Sequence, residues 1–170
     1  KEKISFLHYS IYNTFGNKFF LYYKEPKEKI NFNKLISSIK NKNDLLNFKI
    51  DNILIGDLIY DTYLRWYGEP TIEINDPKFV NFLCKSIKYY YFCKKIFKDF
   101  NVKSVILSHA VYIPAILGRI ALEKNISFYN VTINSLVRLG KDFPYSWNFK
   151  YFKEESEKAD KKTFNKGIIE

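Results

Sequence analysis

Residues 102–131, VKSVILSHAVYIPAILGRIALEKNISFYNV, decide the fold class of this chain. Val102 to Leu107 is a compact apolar run that predicts a buried β-strand, and Ile126 to Val131 predicts a second one. The spacing of apolar residues from Tyr112 to Lys124 predicts the helix that joins them. Because strands joined through a helix run parallel and usually lie near each other, we expect both in one sheet.

The segments before this unit predict more elements of the same kind. Residues 50–55 predict another buried strand, and apolar runs at residues 4–9 and 19–23 predict two strands near the N-terminus. The dipeptide Asp76-Pro77 opens the longest predicted helix, as N-cap and first helical residue. The sequence therefore predicts a Rossmann-like α/β domain, with a doubly wound, mostly parallel sheet and helices on both faces.

The chain divides into a domain and a tail. Residues 1–149 carry the predicted strands and helices and are expected to form the Rossmann-like domain. Residues 150–170 are rich in charge and predict a helical tail or linker. Since the 170 residues contain no methionine, we expect a segment of a longer polypeptide, with the tail leading towards a second domain.

The chain is basic, with 28 lysine and arginine residues against 18 acidic residues and a formal charge of +10. Almost all of this positive charge is lysine, and the chain is also rich in Asn, Ile, Phe and Tyr, which share A/T-rich codons. Surfaces that recognise nucleic acids favour arginine and clustered charge. We therefore attribute the basicity to genome composition and expect no nucleic-acid partner.

Several kinds of site are missing from the sequence. Cys84 and Cys93 fall on opposite faces of one predicted helix, and no cluster of cysteine and histidine predicts a metal site. No apolar run reaches the roughly 20 residues of a membrane span. The glycine motifs that bind phosphates and the GxSxG motif of hydrolases are also absent. We expect a cytoplasmic protein, with peripheral association at the inner face of the membrane as a further option.

Ser108 and His109 follow the predicted strand that ends at Leu107 and precede the next predicted helix. Ligands of open α/β sheets bind outside the carboxyl ends of the strands. A helix N-terminus disfavours a protonated imidazole, and a neutral imidazole can take a proton from a sugar hydroxyl. His109 is therefore the candidate base, with Tyr112 beside it. The alternative is a histidine that caps the helix or packs against Tyr112.

Asp57, Asp61 and Arg65 are spaced four residues apart in a segment of helical character, so they project from one helix face and form what we call the polar ladder. Carboxylates accept hydrogen bonds from vicinal hydroxyls and a guanidinium donates in a fixed fork, which suits a polyhydroxyl ligand. Gly56 lets a ligand or a loop approach the backbone closely. The structural alternative is Asp57 as N-cap, with a surface ion pair between Asp61 and Arg65.

Two other features of these segments have mainly structural interpretations. Arg119, next to Gly118, is predicted to form a structural bridge from its helix to the sheet or to a neighbouring domain. Four aromatic residues lie near the polar ladder in sequence: Tyr60, Tyr63, Trp66 and Tyr67. Their rings have the chemistry to stack on sugar rings, although a place in the core explains most of them better.

Residues 53–65, ILIGDLIYDTYLR, and residues 105–112, VILSHAVY, resemble proteins of bacterial capsule and surface-polysaccharide biosynthesis. These proteins are glycosyltransferase-like and of GT-B architecture, and the resemblance covers roughly residues 48–130. It implies two Rossmann-like domains that face each other across a cleft, of which this chain is the N-terminal, acceptor-side one. The nucleotide-sugar donor would then bind mainly to the other domain, and this chain would hold no cofactor of its own.

The resemblance also implies a carbohydrate acceptor as partner and a role for each candidate residue. His109 and Asp57 would be the catalytic residues that activate the acceptor hydroxyl. Substrate-binding roles would fall to Asp61, Arg65, Ser108 and Tyr112. The alternative hypothesis is a non-catalytic α/β module of a polysaccharide-biosynthesis system, which binds a glycan or a protein with the same face.

Overall fold

The computed structural model describes residues 23, 25–26, 29–131 and 136–142. The strand predicted at residues 4–9, most of the one predicted at residues 19–23 and the tail at residues 150–170 lie outside the described residues. Within them the helices are α1 Phe32–Ile36, α2 Lys42–Leu46, α3 Gly56–Tyr67, α4 Pro77–Asp99 and α5 Ala115–Glu123. The strands are β1 Lys49–Ile50, β2 Ile53–Leu54, β3 Ser104–Leu107, β4 Ser127–Val131 and β5 Leu136–Leu139.

The β3–α5–β4 unit carries the parallel pairing of the fold. β3 pairs with β4 in parallel, as residues 102–131 predicted, so that prediction is confirmed. β5 then pairs with β4 in the antiparallel direction, and the strand order of this sheet is β3-β4-β5. The described residues therefore form a mixed α/β structure with one small three-stranded sheet.

Helix α4 begins as the sequence predicts. Asp76 is its N-cap and accepts a hydrogen bond from the backbone N–H of Lys78 at 3.0 Å, while Pro77 occupies the first turn. Proline fits there because the first N–H groups of a helix have no partner within the helix. The helix spans 23 residues and forms one wall of the larger core.

Residues 50–55 do not form the single buried strand that was predicted. They turn back on themselves, and β1 pairs with β2 in the antiparallel direction across a turn at Asp51 and Asn52. Both turn residues have positive φ, 51° and 65°, which is the conformation of a tight hairpin turn. The Tyr90 hydroxyl donates to the Asp51 carboxylate at 3.0 Å, and Lys94 forms an ion pair with it at 2.6 Å. These contacts fasten the turn to α4.

The three-stranded sheet is covered by a helix on one face only, among the residues that the structure describes. On the covered face Phe128 packs against Gly118 of α5, where a Cβ atom would overlap the ring. The opposite face carries Ile106, Val131 and Leu136, which are 56%, 44% and 56% exposed. A doubly wound sheet with helices on both faces is therefore not confirmed.

Helix α5 separates two hydrophobic clusters and thereby sets the position of the candidate site. The smaller cluster lies between α5 and the sheet and includes Val105, Phe128 and Leu139. The larger cluster unites α3, α4, the hairpin and the other side of α5, with Ile59 and Ile116 among its fully buried members. Because α3 packs into this cluster, its polar ladder lies beside α5 and the β3–α5 connection.

Candidate functional site

Asp57 lies in the first turn of α3 and is held by Arg119 of α5. The guanidinium donates two hydrogen bonds to the carboxylate, from Nη1 to Oδ1 at 2.6 Å and from Nη2 to Oδ2 at 2.7 Å. The same Nη1 donates to the backbone carbonyl of Leu54 at 2.7 Å. Arg119 is only 5% exposed. Arg119 is therefore a structural bridge, as predicted, but it joins α5 to α3 and to β2 of the hairpin, whereas the sequence predicted a bridge to the sheet or to a neighbouring domain.

The first residues of α3 differ from the sequence interpretation in two details. Asp57 is not the N-cap of α3, because Ile55 occupies that position without a side-chain hydrogen bond. The close approach at Gly56 is made by another part of the chain, since a Cβ atom there would overlap the backbone of Leu45 in α2. The catalytic role of Asp57 stays a prediction, but both of its oxygens are engaged by a charge-assisted pair.

Asp61 occupies the middle of the ladder and is the exposed carboxylate of the three-residue set. Partial burial of its carboxyl group raises its pKa, the negative charge of Asp57 raises it further, and Arg119 opposes the shift. Among the described residues it makes no ion pair with Arg65, which has a different partner. Its carboxylate oxygens therefore remain available to a ligand hydroxyl.

Arg65 at the far end of the ladder reaches the β3–α5 connection. Its Nη1 donates to the Tyr112 hydroxyl at 3.2 Å, and its guanidinium carbon lies 5.2 Å from the centre of the Tyr112 ring. The His109 ring centre is 6.1 Å from that of Tyr112, at an interplanar angle of 44°. Ser108 and His109 are both exposed. The structure thus joins Arg65, Tyr112 and His109 in one continuous set of contacts.

Thr62 fixes the β3–α5 connection to α3, and the sequence interpretation missed it. The backbone N–H of Ile113 donates to the Thr62 hydroxyl at 2.9 Å, and that hydroxyl donates to the Leu58 carbonyl at 2.6 Å. Thr62 is fully buried. A polar residue on the apolar side of a predicted helix is the sequence signal that could have found it, because such a group needs a partner when buried.

The position at which α5 begins changes the physical argument for His109 as a base. The helix begins at Ala115, and residues 110–114, which were in part assigned to it, form turns. The influence of a helix N-terminus fades within its first turn. Since His109 lies six residues before Ala115 in sequence, the argument from the dipole of α5 does not apply to it. His109 remains the candidate base because of its exposed position at the end of β3.

Asn130 is a second residue that the sequence interpretation missed. It is 3% exposed, and its side-chain Oδ1 has no hydrogen-bond donor in the part of the chain that the structure describes. It stands opposite Leu107 in the parallel pairing, beside the strand end that leads into Ser108. A buried acceptor of this kind costs stability unless something donates to it. The sequence signal that could have found Asn130 is a polar residue near the end of a predicted buried strand.

The two candidate catalytic residues lie at opposite ends of the ladder. Asp57 and Arg65 are eight residues apart on α3, or about 12 Å along its axis, and His109 joins the Arg65 end. In the described residues no three potential metal ligands come together, and no helix is long and apolar enough to cross a membrane. Comparison with protein-family models, curated proteins and solved structures found no match to this chain.

Proposed function

We propose that this chain is the acceptor-side domain of a glycosyltransferase that transfers a sugar from a nucleotide sugar to a surface glycan. The observation that carries the proposal is the contact of Arg65, Tyr112 and His109 at the carboxyl end of β3. This is the edge of a parallel pair at which α/β proteins bind ligands. The β3–α5–β4 unit is proposed to belong to a larger Rossmann-like sheet, in a protein of GT-B type.

In this proposal His109 acts on the acceptor. Its imidazole takes the proton of an acceptor hydroxyl while that oxygen attacks the anomeric carbon of the donor sugar. The bond from that carbon to the nucleoside diphosphate breaks, and the leaving group keeps the electron pair. Asp61 accepts from a neighbouring hydroxyl of the acceptor, and Arg65 donates to another through the N–H groups that Tyr112 does not use. The donor is bound by a second domain of the same polypeptide.

In this scheme Asp57 positions α3 and does not take over the catalytic role predicted for it, because Arg119 engages both of its oxygens. Its pair with Arg119 holds the first turn of α3 against α5 and the hairpin. Ser108 and Tyr112 complete the acceptor surface from the β3–α5 connection. We further propose a cytoplasmic location with peripheral association at the membrane, where the acceptors of surface glycans are assembled.

The test is sugar transfer by the full-length polypeptide, followed as release of nucleoside diphosphate from UDP-, GDP- and TDP-sugars. His109→Ala is expected to lower kcat by a factor of about 10² to 10⁴ while acceptor binding is nearly kept. His109→Gln keeps the polarity and size of the side chain and should be equally slow. Lys103→Ala, at an exposed position before β3, is the matched control and should keep the wild-type rate. A variant without His109 that transfers sugar at the wild-type rate would remove His109 from the mechanism.

The second candidate function is a non-catalytic module that binds a glycan or a protein with the same surface. The observation that favours it is that Arg119 engages both oxygens of Asp57, the candidate catalytic carboxylate, at the end of the ladder away from His109. In this case His109→Ala changes only the affinity for the ligand, and the full-length polypeptide releases no nucleoside diphosphate from any of the three donors.

A further inference from the structure

Arg65, at the far end of the polar ladder, is a cation without an anionic partner in the part of the chain that the structure describes. Its Nη1 donates to the Tyr112 hydroxyl, and none of the ion pairs among the described residues includes it. A guanidinium presents several N–H donors in a fixed fork. Most of the donors of Arg65 therefore meet no acceptor from these residues.

Tyr112 holds this guanidinium in place. The guanidinium carbon lies 5.2 Å from the centre of the Tyr112 ring, which is within the range of a cation–π contact, while the hydroxyl accepts from Nη1 at 3.2 Å. A long side chain that is already held loses less conformational freedom when it binds a ligand. Arg65 is therefore prepared for a partner with two acceptor oxygens, which a guanidinium binds through two parallel hydrogen bonds.

The backbone of the β3–α5 connection offers further donors. Within the described residues, the N–H groups of residues 109–112 donate no hydrogen bond. The N–H of Ile113 is taken by the Thr62 hydroxyl, and the first N–H groups of α5 are taken by carbonyls of the preceding turn. The open donors thus belong to the connection and not to the start of the helix. Backbone donors of a folded protein usually have a partner in the chain, in water or in a ligand.

The guanidinium and the open N–H groups share one surface. Tyr112 contacts Arg65 and is itself the last residue of the run 109–112. His109 is exposed and Val111 is half-buried, so a ligand can approach the connection from solvent. Asp61 lies one turn away from this contact, about 6 Å back along the axis of α3. Hydrogen-bond donors therefore prevail where Arg65 meets the connection.

We propose that Arg65 and the N–H groups of the β3–α5 connection bind an acidic group, a carboxylate or a phosphate, on the acceptor sugar. Such a group has a negative charge and several acceptor oxygens, which suit a guanidinium fork and a run of N–H groups. A hydroxyl would satisfy fewer of these donors. This inference rests on the proposed function and changes one detail of it, since Arg65 binds an acidic group instead of a hydroxyl. The acceptor is then an acidic glycan.

The experiment measures the binding of matched sugars to the full-length polypeptide by calorimetry. Methyl glucoside is the neutral parent, methyl glucuronide carries a carboxylate, and methyl glucoside 6-phosphate carries a phosphate; the galactose series is measured in the same way. At least one charged sugar is expected to bind about tenfold or more tightly than its neutral parent. The sugar that does so identifies the acidic group. Inorganic phosphate alone is expected to bind more weakly than that sugar.

Three variants test the role of the guanidinium. Arg65→Ala should remove the preference for the charged sugar and nearly keep the affinity for the neutral one. Arg65→Lys keeps the charge without the fork and should restore only part of the preference. Arg138→Ala is the matched control, because Arg138 is the other exposed arginine of the described residues and lies on β5. It should keep the wild-type preference.

The backbone donors are followed by NMR. In spectra of the ¹⁵N-labelled polypeptide, the amide signals of residues 109–112 should shift as the charged sugar is added and should shift less with the neutral parent. Binding of the charged sugar that leaves these signals unmoved would overturn the site.

The outcomes also separate this inference from the proposed function. If no charged sugar binds more tightly than its neutral parent, or if the preference survives Arg65→Ala, the acidic acceptor is overturned and sugar transfer is still judged by its own assay. A preference that Arg65→Ala removes, in a polypeptide that releases no nucleoside diphosphate, supports the acidic ligand and counts against the transferase. Inorganic phosphate that binds as tightly as the charged sugars would overturn the inference, since the surface would then recognise an ion and not a sugar.

Discussion

The two ends of the ladder on α3 use the same side-chain chemistry in opposite ways. At its start Asp57 is held by a guanidinium that is almost fully buried, and the pair joins three elements of the fold. At its end Arg65 is exposed and reaches only as far as the ring and hydroxyl of Tyr112. Asp57 and Arg65 therefore project from the same face of α3 but have different roles, because α5 covers the Asp57 end and leaves Arg65 exposed.

The largest expected effect is a difference in stability between variants at the two ends of the polar ladder. Arg119→Ala should lower the free energy of unfolding by about 3–5 kcal/mol, because the Asp57 carboxylate then stays largely buried without its partner. Arg65→Ala should change it by less than about 1 kcal/mol, as exposed charges usually do. Urea unfolding of both variants gives the comparison. Equal losses would show that the two ends do not differ.

A double variant sharpens this result. Asp57→Asn combined with Arg119→Met should be more stable than Arg119→Ala alone, since replacing both charges removes the buried carboxylate together with its partner. A double variant that is less stable than the single one would mean that the pair contributes net stability beyond the avoidance of a lone charge.

The next effect concerns Thr62, which lies between the two ends. Thr62→Val keeps the shape of the side chain but leaves the N–H of Ile113 without its acceptor, at a cost of about 1–3 kcal/mol. Hydrogen exchange at the Ile113 amide should become faster. Ser86→Ala is the matched control, because the Ser86 hydroxyl donates to the Phe82 carbonyl within its own helix. If both variants lose the same stability, Thr62 does not fasten the β3–α5 connection.

The smallest effect is the pH dependence of Asp61. Its pKa is raised in the folded protein, so the folded state holds this proton more tightly than the unfolded chain does. The stabilisation is complete below the ordinary value of 3.8 and is lost as the pH rises through the raised pKa. At neutral pH Asp61→Asn should therefore be more stable than the wild type, by less than about 1 kcal/mol because the residue is exposed.

The measurement for Asp61 is the difference in unfolding free energy between the wild type and Asp61→Asn, from neutral pH down to about pH 3. The difference should shrink towards zero at the acidic end, where the carboxyl group is protonated in both states. A difference that grows on acidification would mean that the pKa of Asp61 is lowered, and that a cation stabilises its charge.

Parts of the fold followed from local patterns in the sequence. The parallel pairing of β3 and β4 and the N-cap of α4 depend on short-range preferences, and both were predicted. The hairpin at Asp51 and Asn52 was missed because two turn residues inside an apolar run look like a brief interruption of one strand. The start of α5 was placed too early, because the apolar residues before Ala115 are buried in turns and not in a helix.

The candidate site also combines features that followed from the sequence with features that only the tertiary structure decided. The sequence by itself determined that Asp57, Asp61 and Arg65 share a helix face and that His109 follows a strand, since both statements depend only on the geometry of one element. Only the tertiary structure decided that Arg119 engages Asp57 and that Tyr112 links Arg65 to His109. The contact of Thr62 with Ile113 and the burial of Asn130 were likewise shown only by the tertiary structure. The reason is that burial and hydrogen-bond partners come from residues distant in sequence, and no local pattern encodes which of them meet.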